Sequence, residues 1–366
     1  MQETQKRSIV IASVLKPVDD TRMLDKMGQS LLKAKGWEVH IVGYGMMAPR
    51  VAGIVFHPLG SFARLSLSRM FTPWRVLRVM MSIKPAMVIV NTHELLWVAT
   101  IVKVLLQSKI YYDVRENYKL NILNTKAFPS ILRWPVALYV RLKENILSPF
   151  IDHFLLAEKT YANELNFIRT RFTIVENKSI GSVVANRKPI TSTIHFVFTG
   201  TLDSSTGVFE AIALMKKIHA QHIDVRLKIM GYAALPEVRD RIQLEVEGHD
   251  CIEVIGLTEL VPHQTIMQAI AQADAGIIYY RSAPHTKNCI PTKLYEYLAN
   301  CLPIVYDSPA TWSALVRDCA GGVAIDFANP DIKPLIQTLK TTSFYPVPPQ
   351  DVTWESEEAK FIQVFN

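Results

Sequence analysis

Short, uninterrupted apolar runs alternate along the chain with longer segments whose apolar residues recur every three or four positions. In the first half the runs are SIVIASV (8–14), EVHIVGY (38–44), GIVFHP (53–58), AMVIVN (86–91), KIYYDV (109–114), HFLLA (153–157) and FTIVEN (172–177). Runs this short and this apolar suit strands buried on both faces. Between them, residues 22–35, 65–83, 95–107, 131–146 and 159–167 place apolar side chains at i, i+3 and i+4 and predict helices. Strand–helix alternation implies a parallel sheet covered on both sides, a doubly wound α/β domain.

The pattern restarts after the polar stretch 181–193. HFVFTG (195–200), VRLKIMG (225–231), IEVIG (252–256), AGIIYY (275–280), LPIVYD (302–307) and GVAID (322–326) read as a second set of buried strands with helices between. The expected division is 1–185 for a first Rossmann-like domain, 186–345 for a second, and 346–366 for a linker and an amphipathic helix, TWESEEAKFIQVF, returning to the first. Two such domains facing across a cleft place binding residues at the carboxyl ends of the strands.

Composition narrows the picture. With 366 residues, 49% hydrophobic and 20% charged, the chain is neither disordered nor a single small module. The four cysteines form no C-x-x-C pair, no secretory leader is visible, and charges such as Glu94 interrupt every apolar stretch before bilayer length. A cytoplasmic protein is expected. Residues 1–180 carry 25 Lys and Arg against 13 Asp and Glu, while the remainder carries 15 against 20. That asymmetry points the first half toward an anionic surface. Arg64, Arg69, Arg75 and Arg78 with Phe71 and Trp74, and the interleaved stretch 128–147, read as a face for the inner leaflet of a membrane. No nucleic-acid motif accompanies them, so nucleic acid is not an expected partner. The other reading is a solvated helix face.

Several chemistries are excluded by what the strand ends carry. Neither LKPVDDTRM after the first strand nor TLDSSTG after HFVFTG is a dinucleotide fingerprint, and no Walker A, H-E-x-x-H, G-x-S-x-G, D-x-D or Cys/His cluster appears. No metal and no tightly held cofactor is expected. In GIIYYRSAPHTKNCIPTKLYEYLANCLPIVYD (276–307) a strand leads into a polar loop, and Pro291 stands where a helix begins, its first turn suited to an anion. Lys293 and Glu296 share one face of that helix, as a surface ion pair or as a site. In LKPVDDTRM, Asp20 or Thr21 can cap a helix, and Arg22 with Lys16 can bind a phosphate unless Arg22 turns back to Asp19 or Asp25.

P-T-K-L-Y-E-Y-L-A-N-C-L-P-I-V (291–305) resembles the P-x-K-x-x-E-Y element of the family-4 glycosyltransferases, retaining enzymes of the GT-B fold that use nucleotide sugars. FVFTGTLDSSTGVFEAIAL, VRLKIMGYA and IEVIGLTELVPHQTIMQAIAQADAGIIYY resemble that family's donor-domain strands and turns. SVLKPVDDTRM, NTHELLW, YYDVRENY, LLAEKTYANEL and IVENKS resemble acceptor-domain landmarks, so the likeness spans nearly the whole chain. It implies that Glu296 binds the donor ribose, that Gly200 and Gly231 admit the nucleotide, and that Lys293 faces its diphosphate. Thr201, Leu257, Pro291 and Thr292 complete the implied donor site.

Departures from the family are as informative. Thr201 and Thr206 stand where relatives carry an Arg and a Lys for the diphosphate, which leaves Arg281, Lys287 and Lys293 as substitute cations. Asn288 replaces the first carboxylate of an E-x7-E pair, and Arg115 replaces a His. His93 and Glu116 are the expected catalytic residues of the first domain, with Lys16, Arg22 and Arg115 toward the acceptor. The resemblance implies a hexosyltransferase of polysaccharide biosynthesis that acts on a glycan or lipid-linked acceptor with retention. The alternatives are a catalytically silent partner of the same fold and a non-hydrolysing nucleotide-sugar epimerase.

Overall fold

A computed structural model describes the chain except residues 1–6, 35, 63–65, 126–127, 169, 185–186, 188–189, 191, 308–310 and 366; Arg64 therefore lies outside the described residues. The chain forms two compact units, one made of residues 1–177 with 354–366 and the other of residues 178–353.

The first unit is built on seven parallel strands: β1 (Arg7–Pro17), β2 (Trp37–Tyr44), β3 (Ile54–Pro58), β4 (Met87–Val90), β5 (Lys109–Val114), β6 (His153–Leu156) and β7 (Phe172–Ile174). They lie in the order β3-β2-β1-β4-β5-β6-β7. Residues 9–14 of β1 are buried because both sheet faces are covered. Helices Leu67–Ile83, Leu96–Leu106 and Ser130–Leu147 close one face through Val76, Met80, Ala99, Val102, Ala137 and Val140. Residues 22–33 and the helix Glu355–Gln363 close the other through Met23, Met27, Leu31 and Phe361. That last helix is tied down by polar contacts as well: the Trp354 indole donates to Ser30, whose hydroxyl donates to Glu358.

Two expected helices differ in detail. Of residues 159–167 only one turn, Tyr161–Glu164, is helical; the backbone turns extended at Leu165, and Phe167 enters the core beside Leu165 and Ile168. Residues 22–28 wind as a π-helix before the α-helical turn Gln29–Lys33, and this winding turns both Arg22 and Lys26 into the interior.

The second unit has six parallel strands, β8 (Ile194–Thr201), β9 (Val225–Tyr232), β10 (Ile252–Leu257), β11 (Ala275–Ile278), β12 (Ile304–Asp307) and β13 (Gly322–Ile325), ordered β10-β9-β8-β11-β12-β13. In both units the strand order reverses beside the first strand, between β1 and β4 and between β8 and β11, which opens a crevice at the carboxyl ends there. The unit begins at Lys178, ahead of the 185/186 division expected from the polar stretch. The reason is pairing: Ser179 bridges Thr353, and the Val184 N–H donates to the Ala299 carbonyl.

Candidate functional site

In the second unit the strand ends converge on one region. Gly200, Gly231 and Gly256 sit side by side in register on β8, β9 and β10. A Cβ on Gly231 would stand 1.8 Å from the Gly200 carbonyl oxygen, so only glycine lets these strands approach. Gly200 has φ +104°, a conformation that disfavours side chains, and space around its missing Cβ is open. Leu257, at the end of β10, is buried and also has positive φ. Thr206 does not point outward: its hydroxyl donates to the Thr201 carbonyl at 2.7 Å and closes the turn.

Across the switch point, the helix Thr292–Ala299 carries Lys293 and Glu296. Pro291 is the N-cap rather than the first helical residue, its carbonyl accepting from the Leu294 N–H. Lys293 and Glu296 are both buried, which rules out the surface ion pair. The Glu296 carboxylate accepts from, or ion-pairs with, the imidazole of His263 at 2.9 Å. His263 opens the helix His263–Gln272, and sequence reasoning missed it because nothing local marks the pairing.

Lys293 is the unusual group. It is only 5% exposed, and among the described residues no hydrogen-bond acceptor meets its ammonium. Instead Nζ lies 3.8 Å from the Phe198 ring centre and 5.3 Å from that of Tyr280, a cation–π cradle. Burial pulls its pKa down to about 7, only partly opposed by the Glu296 carboxylate. A buried ammonium without an acceptor is expensive.

The other substitute cations are placed differently. Arg281 is exposed, and its guanidinium pairs with Glu210 at 2.8 Å. Lys287 is exposed in the loop before the helix, and Asn288 lies half-buried beside it.

In the first unit the candidates gather at the ends of β1, β4 and β5. His93 follows β4; its Nδ1 stands 2.8 Å from the Lys143 ammonium, its Nε2 3.5 Å from Glu94, and Tyr118 meets its ring edge-on. Burial pulls the imidazole down to about 4, so it is neutral at physiological pH. Lys143, fifty residues away, gave no signal in the sequence. Glu116 accepts from Asn121 at 2.8 Å and lies 3.9 Å from Lys16.

Two acceptor candidates form ion pairs within the unit. Arg22 is 1% exposed; its guanidinium donates to Asp113 at 2.7 Å and to the Val175 carbonyl at 2.9 Å, while its buried Nη1 meets no hydrogen-bond partner among the described residues. It turns to Asp113 and not to Asp19 or Asp25, because the π-helical turn directs it beneath the sheet end. Asn91 also donates to Asp113. Arg115 pairs with Asp20 at 2.8 Å. That contact and Lys16 hold the Asp20 carboxyl at about 2 despite burial, and Asp20 in turn caps the Met23 N–H.

No protein-family model matches the sequence, and neither does the sequence of any curated protein. Solved structures do match. Sucrose-phosphate synthase from Thermosynechococcus elongatus superposes with a TM-score of 0.70 over 98% of both chains at 13% identity. The HepE protein of Anabaena, solved in complex with UDP-glucose, gives 0.65 over 98% of this chain and 99% of that one at 12% identity. A UDP-forming α,α-trehalose-phosphate synthase from Burkholderia xenovorans gives 0.64 over 98% of both at 11%. The fold is GT-B. At these identities the likeness carries the GT-B fold, and the chemistry has to be argued from the side chains.

Proposed function

We propose that the protein is a glycosyltransferase that moves a sugar from a nucleotide diphosphate sugar to an acceptor hydroxyl. The observation that carries this reading is the Lys293 ammonium, buried without an acceptor at the start of a helix, beside an open glycine turn and a buried carboxylate. A diphosphate answers the lysine, and the first turn of the helix Thr292–Ala299 adds its positive dipole end. Glu296, oriented by His263, offers carboxylate oxygen to the paired ribose hydroxyls. Gly200 and Gly231 let backbone reach the nucleotide. Comparable structures bound to UDP-glucose support a sugar nucleotide as the ligand.

In this reading Lys293 does most when the bond to the leaving diphosphate breaks and negative charge grows there. The charge is met by a lysine and helix dipole, without a metal, and transfer retains configuration. In the first unit His93 acts as a neutral hydrogen-bonding group near Glu116, and Lys16 lies on the acceptor side. The acceptor is a lipid-linked or growing glycan, a hexosyl transfer in polysaccharide assembly at the cytoplasmic face of a membrane. Calorimetric titration with UDP, GDP and ADP tests the reading: one of them binds in the micromolar range, and binding of none refutes it in favour of a silent protein of the same fold.

A further inference from the structure

The helix Ser130–Leu147 is built inside out. Its charged residues turn inward: Arg133 donates to the Phe128 carbonyl, Arg141 to Asn117, Lys143 meets His93, and Glu144 is buried against the Tyr112 hydroxyl. Its outward side carries Ile131, Trp134, Leu138, Tyr139, Leu142 and Ile146, with Ile131 83%, Trp134 67% and Tyr139 62% exposed. The Lys143 ammonium lies 5.3 Å from the Tyr139 ring centre, and no charged residue of the helix is itself exposed. The helix Leu96–Leu106, which packs against it, exposes Val104 and Leu105, and Leu67–Ile83, which packs against that one, exposes Met70, Phe71 and Trp74. An exposed apolar surface on this scale marks an interaction site.

We infer that this surface is a membrane-contact face, in which the outer side of Ser130–Leu147 and the start of Leu67–Ile83 sink into the headgroup region of an anionic bilayer. The inference rests on the proposed action at a lipid surface and names the elements that make the contact. Charge selects the occupant. The face belongs to the basic half of the chain, with 25 Lys and Arg against 13 Asp and Glu over residues 1–180, and Arg78 and Lys84 stand exposed beside it. A second copy would bring like charge against like; anionic lipid meets it with opposite charge. Trp74, Trp134 and Tyr139 combine an apolar ring with a polar tip, the side chains suited to the boundary between water and hydrocarbon. Among the described residues no helix is long and apolar enough to cross a membrane, so the contact is with one leaflet. Arg69 and Arg75, expected to touch lipid, are held by Glu94 and the Leu59 carbonyl. Apolar insertion replaces them as the principal contact.

Flotation of the full chain with vesicles of phosphatidylcholine and phosphatidylglycerol in equal parts tests this. The natural chain floats, and the double variant Trp134→Glu, Leu142→Glu loses at least tenfold in vesicle affinity while keeping its circular dichroism; Leu244→Glu, on the other unit, has no effect. Titration of the same variant with whichever of UDP, GDP and ADP binds the natural chain reports separately on the nucleotide site and is unchanged. A natural chain that fails to float, or a double variant that floats equally well, overturns the inference. So does a natural chain that sediments as a dimer which the double variant dissociates, since a second copy would then cover the face.

Discussion

Replacing Lys293 with methionine keeps the side chain's length and apolar stem and removes only the charge. The lysine's fall from an ordinary 10.5 to about 7 corresponds to a burial penalty on the ammonium of on the order of 5 kcal/mol, reduced in practice by local relaxation to about 2–4 kcal/mol. The sign follows from proton counting. Between pH 7 and 10.5 the unfolded chain holds a proton at this site that the folded chain has shed, so stability rises with pH across that window, and below pH 7 the penalty is borne in full. Lys293→Met removes both the penalty and the slope, so urea denaturation finds the variant more stable than the natural protein at pH 6, with the gap closing toward pH 10. Ligand binding runs the other way. With its pKa pulled down to about 7, the lysine is mostly neutral at pH 8 in the free protein, and a bound diphosphate draws the proton back. Titration with the tightest-binding nucleoside diphosphate in buffers of different ionisation enthalpy therefore shows uptake of close to one proton at pH 8. The methionine variant takes up none and loses turnover more than ground-state affinity. Binding without proton uptake by the natural protein, or undiminished turnover in the variant, would refute the assignment of Lys293 to the diphosphate.

Three further outcomes follow from the geometry. Glu296→Ala weakens nucleotide binding by roughly 1.5–3 kcal/mol, and His263→Ala by less, with His263→Asn recovering part of that loss because an amide can still donate to the carboxylate; equal affinities in all three titrations would remove the pair from the site. Asp113→Asn leaves the Arg22 guanidinium buried beside a neutral amide and costs about 3–5 kcal/mol in urea denaturation, whereas a loss under 1 kcal/mol would show that the pair is solvated. Gly231→Ala forces a methyl group into the Gly200 carbonyl and yields little soluble protein, and wild-type thermal stability in that variant would contradict the strand geometry.

Much of the architecture was readable because buried parallel strands leave continuous apolar runs, and the thirteen strands among the described residues fall on runs picked out by pattern. The Lys293 and Glu296 face was readable because helical spacing is local. The pairings were not. His263 reaches Glu296, Lys143 reaches His93, and Arg22 reaches Asp113 across chain separations that no periodicity encodes. The helix Ser130–Leu147 shows a second limit. An apolar stripe tells that a helix is two-sided, but not which side meets the sheet, and here the charged side is turned inward because Tyr112, His93 and Asn117 offer it partners.

The first unit is assembled from two separated stretches of chain, and this has a consequence for the order of synthesis. Residues 354–366 follow residues 178–353, so Phe361 cannot fill its place under β1 until the whole second unit has left the ribosome. Until then the Met23 and Met27 side of the nascent sheet lacks its cover and is open to chaperones. Closing a loop of that length as free chain would cost on the order of 4–5 kcal/mol in entropy. A folded second unit removes most of that cost, because the Ser179–Thr353 bridge sets its entering and leaving strands side by side. The helix Glu355–Gln363 is then delivered as a short tether, and the unit made last in sequence acts as the jig on which the unit begun first is finished.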